Sequence, residues 1–600
     1  MSWFSNLANT YDRVADKVGE LDENGQILLP LYHTIKKTDI CIKLDINGKF
    51  LELDPAPLSI PIPCTEDSST RTGPPLPHPL HEELSYLATD ETKHMAYIAS
   101  LEAWCDQHPK VKAVYKYIIG GSVLEDLRSR GIENNGNPFV RFRVETENVE
   151  NHNLWEDKSV ALAWQNYYQS LLEQREQSLC YVTGIISPFT TKHPKGTNMN
   201  AFGAKLVSCN DETNYTYKGR FRKPDQANTI SAKASQKAHA MLKYLVASHG
   251  HKVDTQAIVA WAIDDGEKQP DPFADSFLLC DTILKTESNP FQEIRGKLAL
   301  DYTKELHRVL MGLSKAKALE DTTRRIAVMA MDAATTGRMG ITFYQDMPQN
   351  QYIQRLIKWH ESCKWWFRRD GFDCISAPST NRIIRAVYGE LKGEGYKKIQ
   401  KQARERLLYH IVCGQPLDRG WVSAAVARVS QPLAYDDNNK WREALATTCA
   451  MVRKYYNQKN KKEEFGLELD KIQVDRNYLF GRLLAIADRL ESHAVFLQEG
   501  KMGGTEKRPT NAVRYMSSFA SKPLRTWRLI FNQLNPYIQR LNGAQWYQNQ
   551  IDEVMSLFVA DEFNDKPLDG RYLLGYSLQR RALATKNANI NQEDDNNEPN

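Results

Sequence analysis

The sequence predicts an α+β protein in which a mixed α/β N-terminal and central region is followed by a C-terminal helical bundle. Short apolar runs of strand length lie in the first two-thirds of the chain, for example Ile40–Leu44 and Ile326–Met331. The last third instead carries apolar residues at helical intervals, as in the face that contains Leu479, Leu483 and Leu490. A run of strands followed by a run of helices is typical of α+β proteins.

Composition along the chain predicts four segments. We expect an N-terminal α/β domain over residues 1–300, a central α/β to helical region over 301–465, a helical bundle over 466–588 and a disordered acidic tail over 589–600. At 600 residues the chain is long enough for several domains, each with its own core. The tail is rich in Asn, Asp and Glu and offers too few apolar residues to pack.

In the first half, strand and turn signals alternate with irregular stretches. The predicted elements are, in order, a strand at Ile40–Leu44, a turn at Asn47-Gly48, an exposed loop at Pro55–Pro79, a strand at Phe139–Val144, an irregular region near 187–228 and a helix from Ser231. The loop is inferred from its many prolines and small polar residues.

Further along, two strands and several helices are predicted. The apolar run Ile326–Met331 and the segment Gly340–Gln345 flank a Thr-Thr-Gly turn and precede a helix. In the bundle, one helical face is expected to contain Leu524, Trp527, Phe531 and Leu534, with Ser521 as its N-cap and Pro523 in its first turn.

Bulk composition excludes several classes of protein. The formal net charge is only +4, so a nucleic-acid surface would have to come from local clustering of basic residues. The ten cysteines include no CxxC pair, which argues against a zinc ribbon or finger. The sequence starts without a secretory signal pattern and contains no apolar run of about 18 residues, the length that spans a bilayer. We therefore expect a cytoplasmic protein with no metal, cofactor or membrane anchor.

The sequence also lacks the common signatures of catalysis. There is no GxxxxGK[ST] phosphate loop, no GxGxxG fingerprint and no HExxH zinc pair. Ser314 and Lys317 match a Ser-x-x-Lys pair, but its companion sequences are missing. Asp264, Asp265 and Glu267 could hold Mg²⁺ in a metal-dependent nuclease, although we favour a solvated loop there. We predict that the chain is not an enzyme and keep the nuclease as the alternative.

Basic and aromatic residues are concentrated in the irregular region near 187–228. Cations neutralise phosphates, while amides and aromatic rings contact bases, so this region is a candidate nucleic-acid-binding site. Its candidate residues are Lys192, Lys195, Lys205, Asn210, Tyr217, Lys218, Arg220, Arg222 and Lys223. On the residues alone, a merely solvated basic loop is the slightly favoured interpretation. Further candidates lie in the predicted bundle, where arginines commonly just face solvent: Arg508, Arg514 and Arg525.

Several long, irregular blocks carry a more specific signal. They include CYVTGIISPFTTKHP from Cys180, AVMAMDAATTGRMGITFY from Ala327, SAPSTNRIIRAVYG from Ser376, RERLLYHIVCG from Arg404, and RPTNAVRYMSSFASKPLRTW near the C-terminus. In this order, from about residue 180 to 580, the blocks resemble the large subunit of the type I-C (Dvulg subtype) CRISPR Cascade effector complex. The first 170 residues match that family more loosely.

The resemblance implies a non-catalytic subunit with several partners. They are the CRISPR guide RNA, target double-stranded DNA, the Cascade backbone and guide-end subunits, an internally translated small subunit and a helicase-nuclease. The N-terminal domain would recognise the protospacer-adjacent motif and help open the duplex, while RNA pairing reads the target. We assign Lys192 to Asn228 to motif and duplex contact, and the bundle arginines to strand or RNA backbone. The small subunit could start at Met451 or, equally, at a non-ATG codon nearer Val474.

Overall fold

The structure is a computed structural model that describes residues 2–69, 71, 73–131, 136–147, 151–208, 226, 228–273, 323–369, 372–390, 392–460, 464–499, 508–541 and 543–595. The chain divides into two compact units, Met1–Gln269 with Thr323–Met347, and Pro270–Thr322 with Pro348–Asn600. With 50% helix and 18% strand, the predicted α+β class is confirmed. The four predicted segments stay predictions, and Ser314 and Lys317 lie outside the described residues.

The first unit contains twelve described strands and six described α-helices. The strands are β1 (His33–Thr38), β2 (Ile40–Asp45), β3 (Phe50–Asp54), β4 (Leu58–Pro63), β5 (Glu82–Glu83), β6 (Phe139–Glu145), β7 (Gln177–Leu179), β8 (Ile186–Pro188), β9 (His251–Val253), β10 (Gln256–Ala262), β11 (Arg325–Thr335) and β12 (Arg338–Pro348). The helices are α1 (Trp3–Arg13), α2 (Glu91–Glu102), α3 (Pro109–Ile119), α4 (Val123–Ser129), α5 (Lys158–Glu173) and α6 (Ala232–Ser248).

One four-stranded sheet has the order β3-β2-β6-β5, with β2 antiparallel to β3 and parallel to β6. Its two central strands are the segments that the sequence predicts at Ile40–Leu44 and Phe139–Val144. The predicted Asn47-Gly48 turn is also confirmed. Gly48 has a φ of 89°, and a Cβ there would lie 2.6 Å from the carbonyl oxygen of Ala113 in α3. A side chain would therefore be strained by both the backbone conformation and the close approach.

The predicted loop at Pro55–Pro79 is partly wrong, because β4 lies within it. β4 pairs antiparallel with β1, and its Ile60 and Ile62 are buried. Pro61 lies opposite Ile35 in a two-stranded sheet, where one edge of β4 has no neighbouring strand among the described residues. A proline is tolerated there because its missing N–H can face away from the partner strand.

The second four-stranded sheet has the order β12-β11-β10-β9. The run Ile326–Met331 within β11 is completely buried, which explains its continuous apolar sequence. α6 begins where predicted, since the Ser231 hydroxyl accepts a hydrogen bond from the backbone N–H of Ala234 at 3.0 Å. α6 packs against α1, and both helices contribute buried side chains to the core of the first unit.

The second unit consists mainly of helices. They are α7 (Gln349–Cys363), α8 (Thr380–Tyr388), α9 (Glu394–Ile411), α10 (Arg419–Val429), α11 (Asn438–Lys459), α12 (Arg476–Glu499), α13 (Asn511–Arg514), α14 (Met516–Ser521), α15 (Pro523–Ile538), α16 (Ala544–Ser556) and α17 (Arg571–Asp595). A short antiparallel hairpin, β13 (Trp365–Arg369) with β14 (Phe372–Ser376), follows α7. α12 carries the predicted face of Leu479, Leu483 and Leu490, which is fully buried and packs mainly on α17.

Two details of the predicted bundle are wrong. Phe531 is 37% exposed, whereas Ile530 beside it is fully buried, so the buried face of α15 is rotated relative to the prediction. Ser521 ends α14, and the N-cap of α15 is Lys522, although Pro523 does occupy the first turn. α17 ends at Asp595, and the predicted tail over 589–600 stays a prediction.

Candidate nucleic-acid interface

Three of the nine candidate residues in the first unit have a described position. They are Lys192, Lys195 and Lys205. The other six lie outside the described residues: Asn210, Tyr217, Lys218, Arg220, Arg222 and Lys223. The geometry therefore concerns the segment from β8 to residue 208.

The loop that carries Lys192 and Lys195 is anchored to the core between the two lysines and again after them. His193 is fully buried, and its Nδ1 lies 2.8 Å from the Ser235 hydroxyl of α6. The Asn198 side chain, also buried, donates to the carbonyl oxygen of Thr255 at 3.0 Å. Lys192 pairs with Asp67 on the surface and keeps 47% of its side chain exposed. This loop therefore presents its cations from an anchored backbone, and whether those cations bind nucleic acid or only solvent stays a prediction.

An aromatic ring that the sequence reasoning missed lies beside Lys195. The Lys195 ammonium lies 5.9 Å from the centre of the Phe202 ring, and Phe202 is 51% exposed. Gly196 has a φ of 78°, and a Cβ there would lie 2.9 Å from that ring. Glycine thus allows both the turn and the close packing of Phe202. The available signal was a single aromatic residue in an otherwise small and polar stretch.

Lys205 lies next to the turn that joins β11 to β12. Its backbone N–H donates to the carbonyl oxygen of Gly337 at 3.1 Å, and its carbonyl oxygen accepts from the N–H of Met339 at 3.0 Å. Gly203 is also close to the turn, because a Cβ there would lie 2.9 Å from the carbonyl oxygen of Thr336. The structure thus brings the basic loop together with a hairpin more than a hundred residues later in the chain.

One lysine on another element interacts with the charges of this loop. Burial lowers the pKa of Lys36 on β1, and the nearby charges of Arg71 and Lys195 lower it further, against the opposite effect of Glu82. Cations that are brought together and partly removed from water favour an anionic partner, because an anion offsets both costs.

The bundle candidates differ from one another. Arg508 contacts the carboxylate of Glu491 at 3.3 Å, and Glu491 is only 1% exposed, so this arginine compensates a buried charge. Arg525 is 80% exposed and lies 3.8 Å from Asp565. Arg514 is exposed at the end of α13. All three arginines are accessible to a phosphate, since the side chain of Arg508 is 48% exposed, and Arg508 also pairs with the buried Glu491.

The acidic cluster is compensated by arginines. One terminal nitrogen of Arg324 lies 2.6 Å from the Asp265 carboxylate and 2.9 Å from that of Glu267. Asp264 pairs with Arg13. Within the part of the chain that the structure describes, no group of three or more His, Cys, Asp or Glu side chains could hold a metal ion. The guanidinium of Arg324 lies where a bound cation would be needed, so the geometry gives no support to the nuclease alternative.

These features define an α+β protein with an anchored basic loop in its first unit. The family model for CRISPR-associated protein (Cas_Csd1) matches residues 7–584, so the chain belongs to this family. No curated protein matches the chain. Among the described helices, none is long and apolar enough to cross a membrane.

Proposed function

We propose that this protein is the non-catalytic large subunit of a type I-C CRISPR surveillance complex. It recognises the protospacer-adjacent motif, helps open target DNA for guide-RNA pairing and recruits the helicase-nuclease. The structural observation that carries the proposal is the anchored loop with Lys192, Lys195 and Phe202. Cations anchor a nucleic-acid backbone and an exposed ring can pack on sugars or bases, which is the combination that duplex contact needs.

The proposal divides the work between the two units. The first unit contacts the duplex, and the accessible arginines of the second unit, Arg508, Arg514 and Arg525, contact a strand or RNA backbone. Lysines on an anchored loop suit duplex contact, because the loop loses little conformational entropy when its cations bind phosphates. The protein then recognises the bases of the short flanking motif only, while the guide RNA recognises the target sequence by base pairing.

The proposal also includes an internally translated small subunit, and the fold favours a start near Val474 over Met451. Met451 is buried in the middle of α11, so a product that begins there would start with a truncated helix. Val474 is 50% exposed and lies just before α12 begins at Arg476. A product from that point keeps the whole of α12 and its packing on α17.

The test is assembly followed by DNA binding. The tagged full-length chain is co-purified with the products of neighbouring genes, and binding of target duplexes with and without the flanking motif is measured. Association with guide RNA and backbone subunits, together with motif-dependent binding, is the expected result. Failure to assemble, or binding that ignores the flanking base pairs, would contradict the proposed function.

A further inference from the structure

The β11–β12 hairpin extends beyond the sheet to which it belongs. β10 pairs with β11 from Ile326 to Met331, whereas β11 continues to Thr335. Residues 332–335 therefore lack the β10 neighbour that covers the rest of the strand. From Ala334 to Arg338 the hairpin, here called the ribbon, is exposed to solvent, and Lys205 bridges to Arg338 along one of its edges.

The end of this ribbon is narrow. Its residues are Ala333, Ala334, Thr335, Thr336 and Gly337, followed by Arg338 at the start of β12. None of the first five has a side chain longer than that of threonine. Because the neighbouring side chains are small, the exposed hydroxyls of Thr335 and Thr336 and the guanidinium of Arg338 can reach base edges in a groove.

The ribbon is held at its base and along one edge of its tip. The Thr255 hydroxyl donates to the Asp332 carboxylate at 2.6 Å. Along the edge of the tip, the backbone of Lys205 makes its two hydrogen bonds to Gly337 and Met339. A site that reads bases needs such support, because a mobile tip would lose conformational entropy on binding.

We propose that the ribbon tip, Thr335–Arg338, enters the major groove of the duplex beside the target, while Lys192, Lys195 and Lys205 contact the flanking phosphates. This inference rests on the proposed function and assigns the base contacts to Arg338 and the two threonine hydroxyls. The major groove of B-form DNA, about 12 Å wide, accepts a two-stranded ribbon. The deep and narrow major groove of an A-form helix does not accept side chains, so the ligand is duplex DNA and not the guide–target hybrid.

The test compares two kinds of variant in the assembled complex. Thr335→Val/Thr336→Val and Arg338→Gln change the tip, and Lys192→Gln/Lys195→Gln removes phosphate contacts. Thr342→Val and Arg325→Gln are matched controls, because both residues are exposed on the same hairpin but away from its tip. Dissociation constants are measured for the target duplex and for duplexes with each flanking base pair replaced.

We expect the tip variants to reduce discrimination between correct and replaced base pairs about fivefold or more, while the controls keep it. The lysine variant should weaken binding to all duplexes by the same factor. Unchanged discrimination in both tip variants, with binding weakened in the lysine variant, would overturn the ribbon assignment and leave the proposed function standing. A wild-type complex that ignores the flanking base pairs would instead remove the proposed function itself.

Discussion

Gly481 of α12 lies directly against the carbonyl oxygen of Tyr572 in α17, and a Cβ at position 481 would be only 1.9 Å from that oxygen. Gly575 makes the reciprocal approach, since its Cβ would lie 2.1 Å from the carbonyl oxygen of Tyr478. The two helices thus cross with their backbones in contact. This crossing depends on glycine at both positions, because any side chain would force the helices apart.

Replacement of Gly481 by alanine is therefore expected to destabilise the protein by about 2 kcal/mol or more, the range of overpacked cores. The measurement is denaturant or thermal unfolding of the full-length chain. Gly395→Ala is the control, because Gly395 is exposed in α9 with no atom within 4 Å of the added Cβ. There the better helix propensity of alanine should stabilise by up to about 1 kcal/mol. Equal changes in the free energy of unfolding for Gly481→Ala and Gly395→Ala would contradict the close contact between the backbones of α12 and α17.

A buried ion pair holds the same helices together. Asp488 of α12 is 1% exposed and accepts hydrogen bonds from Thr510 at 2.6 Å and Tyr576 at 2.7 Å, besides its ion pair with Arg580. Asp488→Ala removes the carboxylate partner of Arg580, whose remaining contact is the Tyr576 hydroxyl at 2.8 Å, and we expect a loss of about 3 to 5 kcal/mol in the free energy of unfolding.

The matched control for Asp488 is Asp373→Ala. Asp373 pairs with Arg581, and its side chain is 51% exposed. Solvent screening should keep the cost of this change within about 1 kcal/mol. If Asp488→Ala lowers the free energy of unfolding no more than Asp373→Ala does, burial does not strengthen the Asp488–Arg580 ion pair.

Acid should destabilise the first unit through His239. Burial lowers the pKa of His239 to about 4, while His193 and Lys243 lie beside it. The unfolded state, with a pKa of about 6.5, binds the proton first, so the free energy of unfolding falls as the pH drops from about 6.5 to 4. The contribution of this one residue is about 3 kcal/mol.

His239→Gln should therefore reduce the loss of stability between pH 6.5 and 4, as measured by urea unfolding across that range, while His33 and His249, whose pKa values burial also lowers to about 4, maintain the rest of it. The control is the free energy of unfolding of the wild type and the variant at pH 7.5. The side chain at position 239 is neutral in both proteins at that pH, so a difference between them reports the change in packing alone. An equally steep acid dependence in the variant would assign the effect to other groups.

The loop that carries Lys192 and Lys195 should determine part of the salt dependence of DNA binding. Each phosphate contact contributes about 0.9 to the slope of log affinity against log salt, because counterions are released. Lys192→Gln/Lys195→Gln should reduce that slope by about 2 in the assembled complex. Lys112→Gln is the control, since Lys112 lies on the surface in a pair with Asp106. A slope that the loop variant leaves unchanged would place both lysines away from the phosphates.

The proposed internal start of a small subunit can be tested without disturbing the fold. Met451→Leu, encoded by a codon that cannot initiate translation, conserves volume at a buried site and should leave the small product present. Intact-mass measurement of the purified complex should then give a product that begins near Val474. Loss of the product in this variant would assign the start to Met451.

Local patterns of the sequence determined the class of fold and many of its elements. The buried strand of Ile326–Met331, the helix from Ser231 and the apolar face of α12 depend on periodicity or capping within a few residues. These properties follow from side-chain direction along one strand or helix. The basic character of the candidate site is likewise visible in the order of residues around Lys192.

What only the tertiary structure decided are relationships between distant parts of the chain. Arg482 belongs to the basic residues of the bundle, yet it is buried and donates to Gln579 at 2.9 Å. Arg324, 59 residues after Asp265, occupies the acidic cluster that suggested a metal. Lys205 lies beside the β11–β12 turn because its backbone forms hydrogen bonds to Gly337 and Met339. Backbone hydrogen bonds of this kind produce no recognisable sequence pattern around residue 205 or around the turn. Local spacing specifies which face of an element is apolar, but the partner that covers that face is selected by the packing of the whole chain.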